Sequence, residues 1–333
     1  MSIKLVFKEE NEELFWKYWN EMAKKASYRY FPTNLKTYNY GGKNDKSFVY
    51  LVNNQLAAGV FLPIEKIEKF FINAPIFKFM AVSKEIFKII NKIAVENGIK
   101  KIMFEIDPLE NYSYNYLQKY GYLDATILSY VVDLTVDDLL ATCRKGCRND
   151  IKSILKDKNF SVFFIDKNNA DYNIHKEYRE LHKKCAGKET RAKKTFDWQF
   201  ERLKEGKAVL FGLKYKNKNI AYSYFEFNKE KGVYYSSADD PDYDRMHIYH
   251  ILIYSAMEYL KKKGVKFLDM GQPASPSPQF NYYPDKKQIN IALFKRGFGG
   301  EFRPLFRGIK YFSEEAFKKD IKEFIDNYFQ AIV

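Results

Sequence analysis

The sequence predicts a mixed α/β class, α+β sheets with helices between them, built as two tandem copies of one unit that meet near residue 134. Three observations carry that expectation. The stretches AVENGIKKIMFEIDP (94–108) and YLKKKGVKFLDMGQP (259–273) both run helix end, glycine, basic strand start, acidic residue near the strand's carboxyl end, then proline. The order of helices and strands around these two stretches also recurs. Finally, 333 residues with 46% hydrophobic and 18% aromatic side chains supply enough apolar surface for two cores, which excludes a disordered chain.

In the first copy, residues 1–134, NEELFWKYWNEMAKKA spaces Leu14, Trp16, Tyr18 and Met22 as a helix does. SFVYLVNNQLAAGVFLPI reads as two strands joined by a tight turn at Asn53-Asn54. A helix follows in SKEIFKIINKIAVENG, with Ser83 as its N-cap and Gly98 as its stop. The strand IKKIMFEID, a short helix SYNYLQKYG and the strand ILSYVVDL close this copy.

The second copy, residues 135–333, repeats the order with additions. Helices near 136–158 and 171–204 flank a strand at 160–165, and KAVLFGLKYKNKNIAYSYFEFN forms a hairpin turning at Asn217-Lys218-Asn219. GVYYSSAD is a strand, and the helix IYHILIYSAMEYLKKKG ends at Gly264 and runs into the strand VKFLDM. NIALFKRGFGGEF (290–302) reads as an amphipathic strand that ends in a charged pair and a glycine turn. The final stretch EEAFKKDIKEFIDNYFQAIV is a helix whose Phe317, Ile321, Ile325, Phe329 and Ile332 form a stripe for packing against the domain.

The charge is uneven. Residues 1–134 hold 18 basic and 15 acidic side chains, and residues 135–333 hold 38 and 27, so the second copy carries most of the net +14. Such a field attracts phosphates, nucleotides or RNA, although a Lys- and Asn-rich composition produces the same excess with no partner behind it. The apolar runs fall short of the ~18–20 residues a membrane span needs, and the N-terminus has no signal-peptide pattern, so a cytoplasmic location is expected. Cys143, Cys147 and Cys185 form neither a disulfide framework nor a Cys-x-x-Cys pair. They read as reduced thiols, and no metal is expected.

Residues 175–305 carry a family resemblance. The runs HKEYRELHKKCAGKETRAKKTFDWQFERLKEGKAVLFGLKYKNKNIA, VYYSSADDPDYDRMHIYHILIYSAMEYLKKKGVKFLDMGQ and DKKQINIALFKRGFGG resemble the Fem-like branch of the GNAT acyltransferase superfamily. That branch comprises the peptidoglycan-bridge aminoacyltransferases (the FemABX type) and relatives in surface-saccharide pathways, to which this chain looks closest. The most specific pieces are Ala-Gly-x-x-Thr-Arg at 186–191, Tyr234-Tyr235, and Phe-Lys-Arg-Gly-Phe at 294–298. The resemblance implies two tandem GNAT-like domains, with most of the active site in the second.

It also implies that Lys295 lies in the transfer site. The chemistry agrees: when an amine attacks an acyl carbonyl, charge develops on the carbonyl oxygen, and a fixed cation stabilises that oxyanion more than the ground state. Asp269, near a strand's carboxyl end, is positioned to receive or relay the amine's proton, or else serves only its turn. Arg191 offers a fork suited to phosphate or carboxylate, with a solvated loop charge as the other reading. Arg245 and His250 flank the start of the main helix, where anions are favoured, and the resemblance places a His at 250. Lys287, Arg296 and Tyr235 complete the substrate-binding set.

Two departures narrow the expectation. The glycine-containing loop that holds the coenzyme A pyrophosphate in typical GNAT enzymes corresponds here to DRMHIYHIL, with no glycine. No stretch sustains the three heptads of a long helical arm, so tRNA binding through such an arm is not expected. The function read from the sequence is transfer of an acyl or aminoacyl group to an amine of an anionic cell-envelope precursor, a nucleotide- or lipid-linked sugar or peptidoglycan precursor. Its donor is aminoacyl-tRNA or acyl-CoA, with no permanently bound cofactor. tRNA and a membrane surface are further partners of this reading; DNA is not. A conventional acetyl-CoA-dependent N-acetyltransferase with an altered loop is the alternative, and a non-catalytic RNA or membrane-surface binder stands further off.

Overall fold

The structure, a computed structural model, describes residues 2–332 apart from 26–44, 65–69, 73–75, 78–79, 111, 244–245, 272–274, 276 and 281. The chain divides into two compact units. The first comprises Met1–Leu128, Ser277–Asp285 and Arg303–Val333, and the second Ser129–Pro276 and Lys286–Phe302.

The first unit begins with β1 (Ile3–Phe7), α1 (Glu12–Lys25) and the hairpin β2 (Phe48–Val52) and β3 (Gln55–Val60). Asn53 and Asn54 turn that hairpin with φ of 49° and 60°, the left-handed backbone the two-residue turn demands. β4 (Phe70–Ile72), β5 (Ile76–Phe77), α2 (Ser83–Glu96), β6 (Lys101–Glu105) and β7 (Leu123–Asp124) follow. α1 buries Phe15, Trp16, Trp19 and Met22 with Val49, Leu51 and Leu56 of the hairpin. α2 buries Ile86, Phe87, Ile90 and Ile93 against Phe104, Leu117 and Tyr122. Ser83 is inside α2 rather than its N-cap, which is Val82. Its hydroxyl instead meets the Tyr120 hydroxyl at 2.5 Å.

The second unit's sheet has seven strands in the order β14-β8-β13-β12-β11-β10-β9. These are β8 (Ile127–Asp133), β9 (Phe160–Ile165), β10 (Ala208–Tyr215), β11 (Lys218–Asn228), β12 (Lys231–Asp239), β13 (Phe267–Asp269) and β14 (Glu301–Leu305). Its helices are α3 (Leu139–Thr142), α4 (Lys145–Lys156), α5 (Tyr172–Ala186), α6 (Lys193–Lys204), α7 (Tyr249–Lys262) and α8 (Lys286–Lys295). α7 buries Ile251, Leu252, Ala256 and Leu260 in the core that Val132, Val209, Phe225 and Leu268 share. α5 and α6 enclose a smaller core of Tyr178, Phe196, Leu203, Leu210 and Tyr224.

Three local expectations are corrected here. The segment 171–204 is two helices, because Gly187 takes φ 67° and ends α5. The second hairpin turns on Lys216-Asn217, at φ 48° and 66°, not on 217–219. NIALFK is helical: α8 buries Ala292 and Lys295, three residues apart, a spacing that a short apolar run leaves ambiguous between strand and helix.

The chain ends with β15 (Arg307–Tyr311) and α9 (Glu314–Ile332), and β15 explains why the first unit is discontinuous. In the first unit's second sheet, β4-β6-β15-β7, β6 lies parallel to β4 and antiparallel to β15. In the second unit β13 lies parallel to β12 and antiparallel to β8. The two repeat strands thus occupy the same slot, and each copy ends in a strand that belongs to the other's sheet. Asn115 Nδ2 donates to Arg307 O at 2.8 Å and Arg307 Nε to Ala125 O at 2.9 Å, which fixes β15 in place. Residues 135–333 therefore do not form one compact unit. The expected apolar stripe of α9 is used in part: Phe317 meets Tyr311, while Ile325 and Phe329 remain exposed. Among the described residues no helix is long and apolar enough to cross a membrane.

Candidate active site

β12 and β13 run side by side only from Lys231↔Phe267 to Val233↔Asp269. β12 then continues to Asp239 while β13 stops, so the two strands part at Asp269. At that point β12 also carries a register shift: Tyr224 faces Ser236 and Phe225 faces Tyr234, which leaves Tyr235 as the extra residue. Gly271 closes the parting strands. It takes φ 72°, and a Cβ there would lie 3.3 Å from Tyr234 O and 3.9 Å from Lys295 Nζ.

Asp269 is buried and fully engaged. Oδ2 pairs with Lys231 Nζ at 2.9 Å, and Oδ1 accepts from Ser129 Oγ at 2.6 Å and from the Gly271 amide at 2.9 Å. Burial opposes its charge, yet Lys231 and these donors prevail and hold the carboxyl below its ordinary pKa. It is an ionised, immobilised carboxylate.

Lys295 ends α8 rather than a strand. It is 5% exposed, and its Nζ donates to Gly271 O at 3.0 Å. Burial lowers its pKa to about 8, with Asp269 opposing the shift from a distance. A buried ammonium thus rests on a neutral carbonyl at the mouth of the parting strands. The glycines after it serve packing. A Cβ at Gly299, φ 77°, would lie 2.5 Å from Thr142 O, and one at Gly300 2.5 Å from Val131 O. Gly297 approaches Cys147, and its carbonyl accepts from the Arg144 amide at 2.8 Å.

The other expected site residues fall in several places. Arg191 sets its guanidinium 5.5 Å from the Tyr235 ring. Arg191 also lines a concavity with Arg179, His182, Lys183, Glu189, Thr190 and Phe196, and its Nη1 is buried with no hydrogen-bond partner. The Tyr178 hydroxyl bonds Ser236 of β12, tying α5 to the register shift. His250 packs its ring 4.9 Å from Phe294 and 5.7 Å from Phe298, on either side of Lys295 in sequence. Its pKa is lowered, chiefly by burial. Arg296 is exposed and lies over the Phe302 ring at 5.5 Å. Lys287 is exposed at the start of α8, near enough to the Cys185 thiol to act on its titration. Arg245 lies outside the described residues.

Sequence reasoning missed Lys231, Ser129 and Gly271. Lys231 stands at a strand start, where a lysine is ordinarily solvated, and only its pairing across β12–β13 marks it out. Ser129 comes from β8, in the other copy's sequence. The glycine at 271, two residues after an aspartate, was the one local signal of a tight turn.

Residues 141–282 match the family model described as an acetyltransferase (GNAT) domain. No curated protein matches the chain in sequence. Among solved structures, FemX superposes with a TM-score of 0.64 at 12% identity, over 96% of this chain and 99% of that one. The C-terminal domain of a protein named for lysylphosphatidylglycerol synthetase, from Agrobacterium fabrum, gives 0.62 at 13% identity over 89% and 91%. A tandem GNAT protein from the clavulanic acid biosynthesis pathway gives 0.53 at 10% identity over 93% and 98%. The parted strands and the register shift lie within the residues that match the family model: residues 141–282 form an acyltransferase domain of the GNAT type, and the chain as a whole has a fold like those of FemX and of the tandem GNAT protein.

Proposed function

We propose that the protein transfers an aminoacyl or acyl group to an amine of an anionic cell-envelope precursor, with the acyl carbonyl seated between Lys295 and the register shift of β12. The observation that carries this reading is the buried Lys295 ammonium held by Gly271 O where β12 and β13 part. An attacking amine forms the new N–C bond and converts the carbonyl to a tetrahedral oxyanion, for which the ammonium can exchange its contact with Gly271 O; collapse then breaks the bond to the donor's ribose oxygen or thiol sulfur, which leaves carrying the proton the amine gives up. Asp269, with both oxygens occupied, acts as a fixed countercharge that keeps Lys295 protonated near neutral pH rather than as the proton acceptor. Arg191, with Tyr235 beneath it, would hold the acceptor's phosphate or carboxylate.

The donor that fits best is an aminoacyl ester of tRNA. The start of α7 has no glycine with which to cradle a pyrophosphate, which disfavours coenzyme A. The names of the neighbours, FemX and lysylphosphatidylglycerol synthetase, support transfer to envelope molecules, and the second names a lysyl group and a lipid phosphate.

The test is an assay of the purified chain with aminoacyl-tRNA or acyl-CoA donors and amine-bearing lipid phosphates or nucleotide-linked sugars, read by mass spectrometry for a new amide. Product that depends on Lys295 supports the reading. Acetyl-CoA turnover with simple amines would favour the conventional N-acetyltransferase, and product that forms equally with Lys295→Met would refute the assigned centre.

A further inference from the structure

A cavity of about 270 Å³ opens between α5 and α6, lined by Tyr172, His175, Lys176, Arg179, Lys193, Phe196 and Asp197. It shares Arg179 and Phe196 with the Arg191 concavity but holds neither Arg191 nor Lys295. At ~30 Å³ per water molecule the volume equals roughly nine waters, or one small organic molecule.

His175 marks the cavity as more than a packing defect. It is 1% exposed, and its Nε2 is buried with no hydrogen-bond partner. Its ring is boxed by aromatics, with centroids 5.4 Å from Phe200, 5.6 Å from Tyr178 and 6.4 Å from Phe196 and Tyr224. Burial lowers its pKa to about 4, Asp197 opposing, so the imidazole is neutral and can donate one hydrogen bond without adding charge. Leaving such a group unsatisfied is costly unless a ligand or water completes it.

Charge supplies the sign of the ligand. Three cations, Lys176, Arg179 and Lys193, face one carboxylate, Asp197, which already accepts from Tyr172 Oη at 3.2 Å. Arg179 is engaged at 3.2 Å by Glu189 and at 3.8 Å by Glu180, which leaves the two exposed lysines as the principal anion contacts. Phe196 and Tyr172 supply an apolar wall.

We infer that the α5–α6 cavity binds a small organic anion, a carboxylate or phosphate monoester on an apolar body, with Lys176 and Lys193 holding the charge and His175 Nε2 completing its hydrogen bonds. This site is additional to the acceptor contact assigned to Arg191.

The experiment titrates the full-length protein, with ¹⁵N-labelled histidine, against benzoate, phenyl phosphate and inorganic phosphate, following the His175 ring nitrogens by NMR after assignment with His175→Gln. A saturable shift with benzoate or phenyl phosphate is expected, weaker with inorganic phosphate, and the stronger of the two organic probes identifies the anionic group. Lys176→Gln with Lys193→Gln should weaken binding by roughly tenfold or more. Lys295→Met and Arg191→Gln should leave it within about twofold. The absence of any saturable shift would make this a water-filled void, and affinity unchanged by the lysine pair would also overturn the inference. Loss of binding in Arg191→Gln or Lys295→Met would place the anion in the acceptor contact or transfer centre instead; failure of the acyl-transfer assay alone would leave the binding result intact.

Discussion

Lys295→Met should make the protein more stable and much less active, and the two effects should respond differently to pH. The lysine's pKa falls from 10.5 to about 8 on folding. At 1.36 kcal/mol per unit, keeping this side chain charged in its buried place costs about 3 kcal/mol at neutral pH. Methionine removes that cost while preserving the apolar stem, but it deprives Gly271 O of its donor, which returns about 1–2 kcal/mol. The net gain is about 1–2 kcal/mol at pH 7. Because the folded pKa lies below the unfolded one, the penalty is complete below about 8 and vanishes above 10.5. Wild type therefore gains stability as pH rises through that window, and the variant's advantage shrinks and then reverses. Thermal or denaturant unfolding between pH 7 and 10.5 reads this directly. In the transfer assay the same substitution should lower the rate by roughly 10²- to 10³-fold, the loss for one oxyanion donor. A variant that is destabilised at pH 7, or whose stability difference ignores pH, would refute the burial argument. Activity within threefold of wild type would refute the catalytic one.

Transfer by the cationic form predicts a rate that declines as pH rises through about 8, the Lys295 pKa, while Lys295→Arg is impaired because a planar fork cannot replace a point charge against Gly271 O. Lys231→Met should cost about 3–5 kcal/mol by stranding the Asp269 charge, and Lys231→Met with Asp269→Leu should recover much of it in unfolding experiments. Gly299→Ala should destabilise by at least about 1–2 kcal/mol from its left-handed backbone alone, before its approach to Thr142 O is counted. Removal of residues 303–333 should abolish amide-exchange protection in β6 of the first unit while the strands β9–β12 keep theirs, since β15 pairs with β6.

The sequence showed what repeats and what is periodic. Gly98 and Gly264 precede two strands that occupy the same slot in their sheets, and the Asn53-Asn54 turn is where an isolated reading put it. The reading faltered where tertiary contact decides. NIALFK carries too few apolar positions to separate strand from helix, and α8 is settled by burial of Ala292 and Lys295. Lys295 and Asp269 were singled out through motif and strand position, yet what joins them in space is Gly271 between them, with Lys231 and Ser129 holding the carboxylate. None of those three is distinguishable in one dimension from an ordinary turn glycine, surface lysine or strand serine.

The exchange of strands bears on the chemistry as well as on the fold. Ser129, which satisfies Asp269 Oδ1, lies on β8, the strand that closes the first copy in sequence. β8 also supplies the neighbour that keeps β13 an interior strand, through Asp269↔Val131, and Tyr130 O accepts from the Met270 amide at 2.8 Å. A second copy cut off at residue 134 would leave β13 as an edge strand, with Asp269 short of one charge-assisted hydrogen bond worth about 1.5–3 kcal/mol. The carboxylate's pKa would then rise toward its ordinary value, and Asp269, still ionised at neutral pH beside Lys231, would be held less firmly in place. The strand that precedes residue 134 therefore belongs to the proposed site as much as to the fold: it holds in place the carboxylate whose charge acts on Lys295.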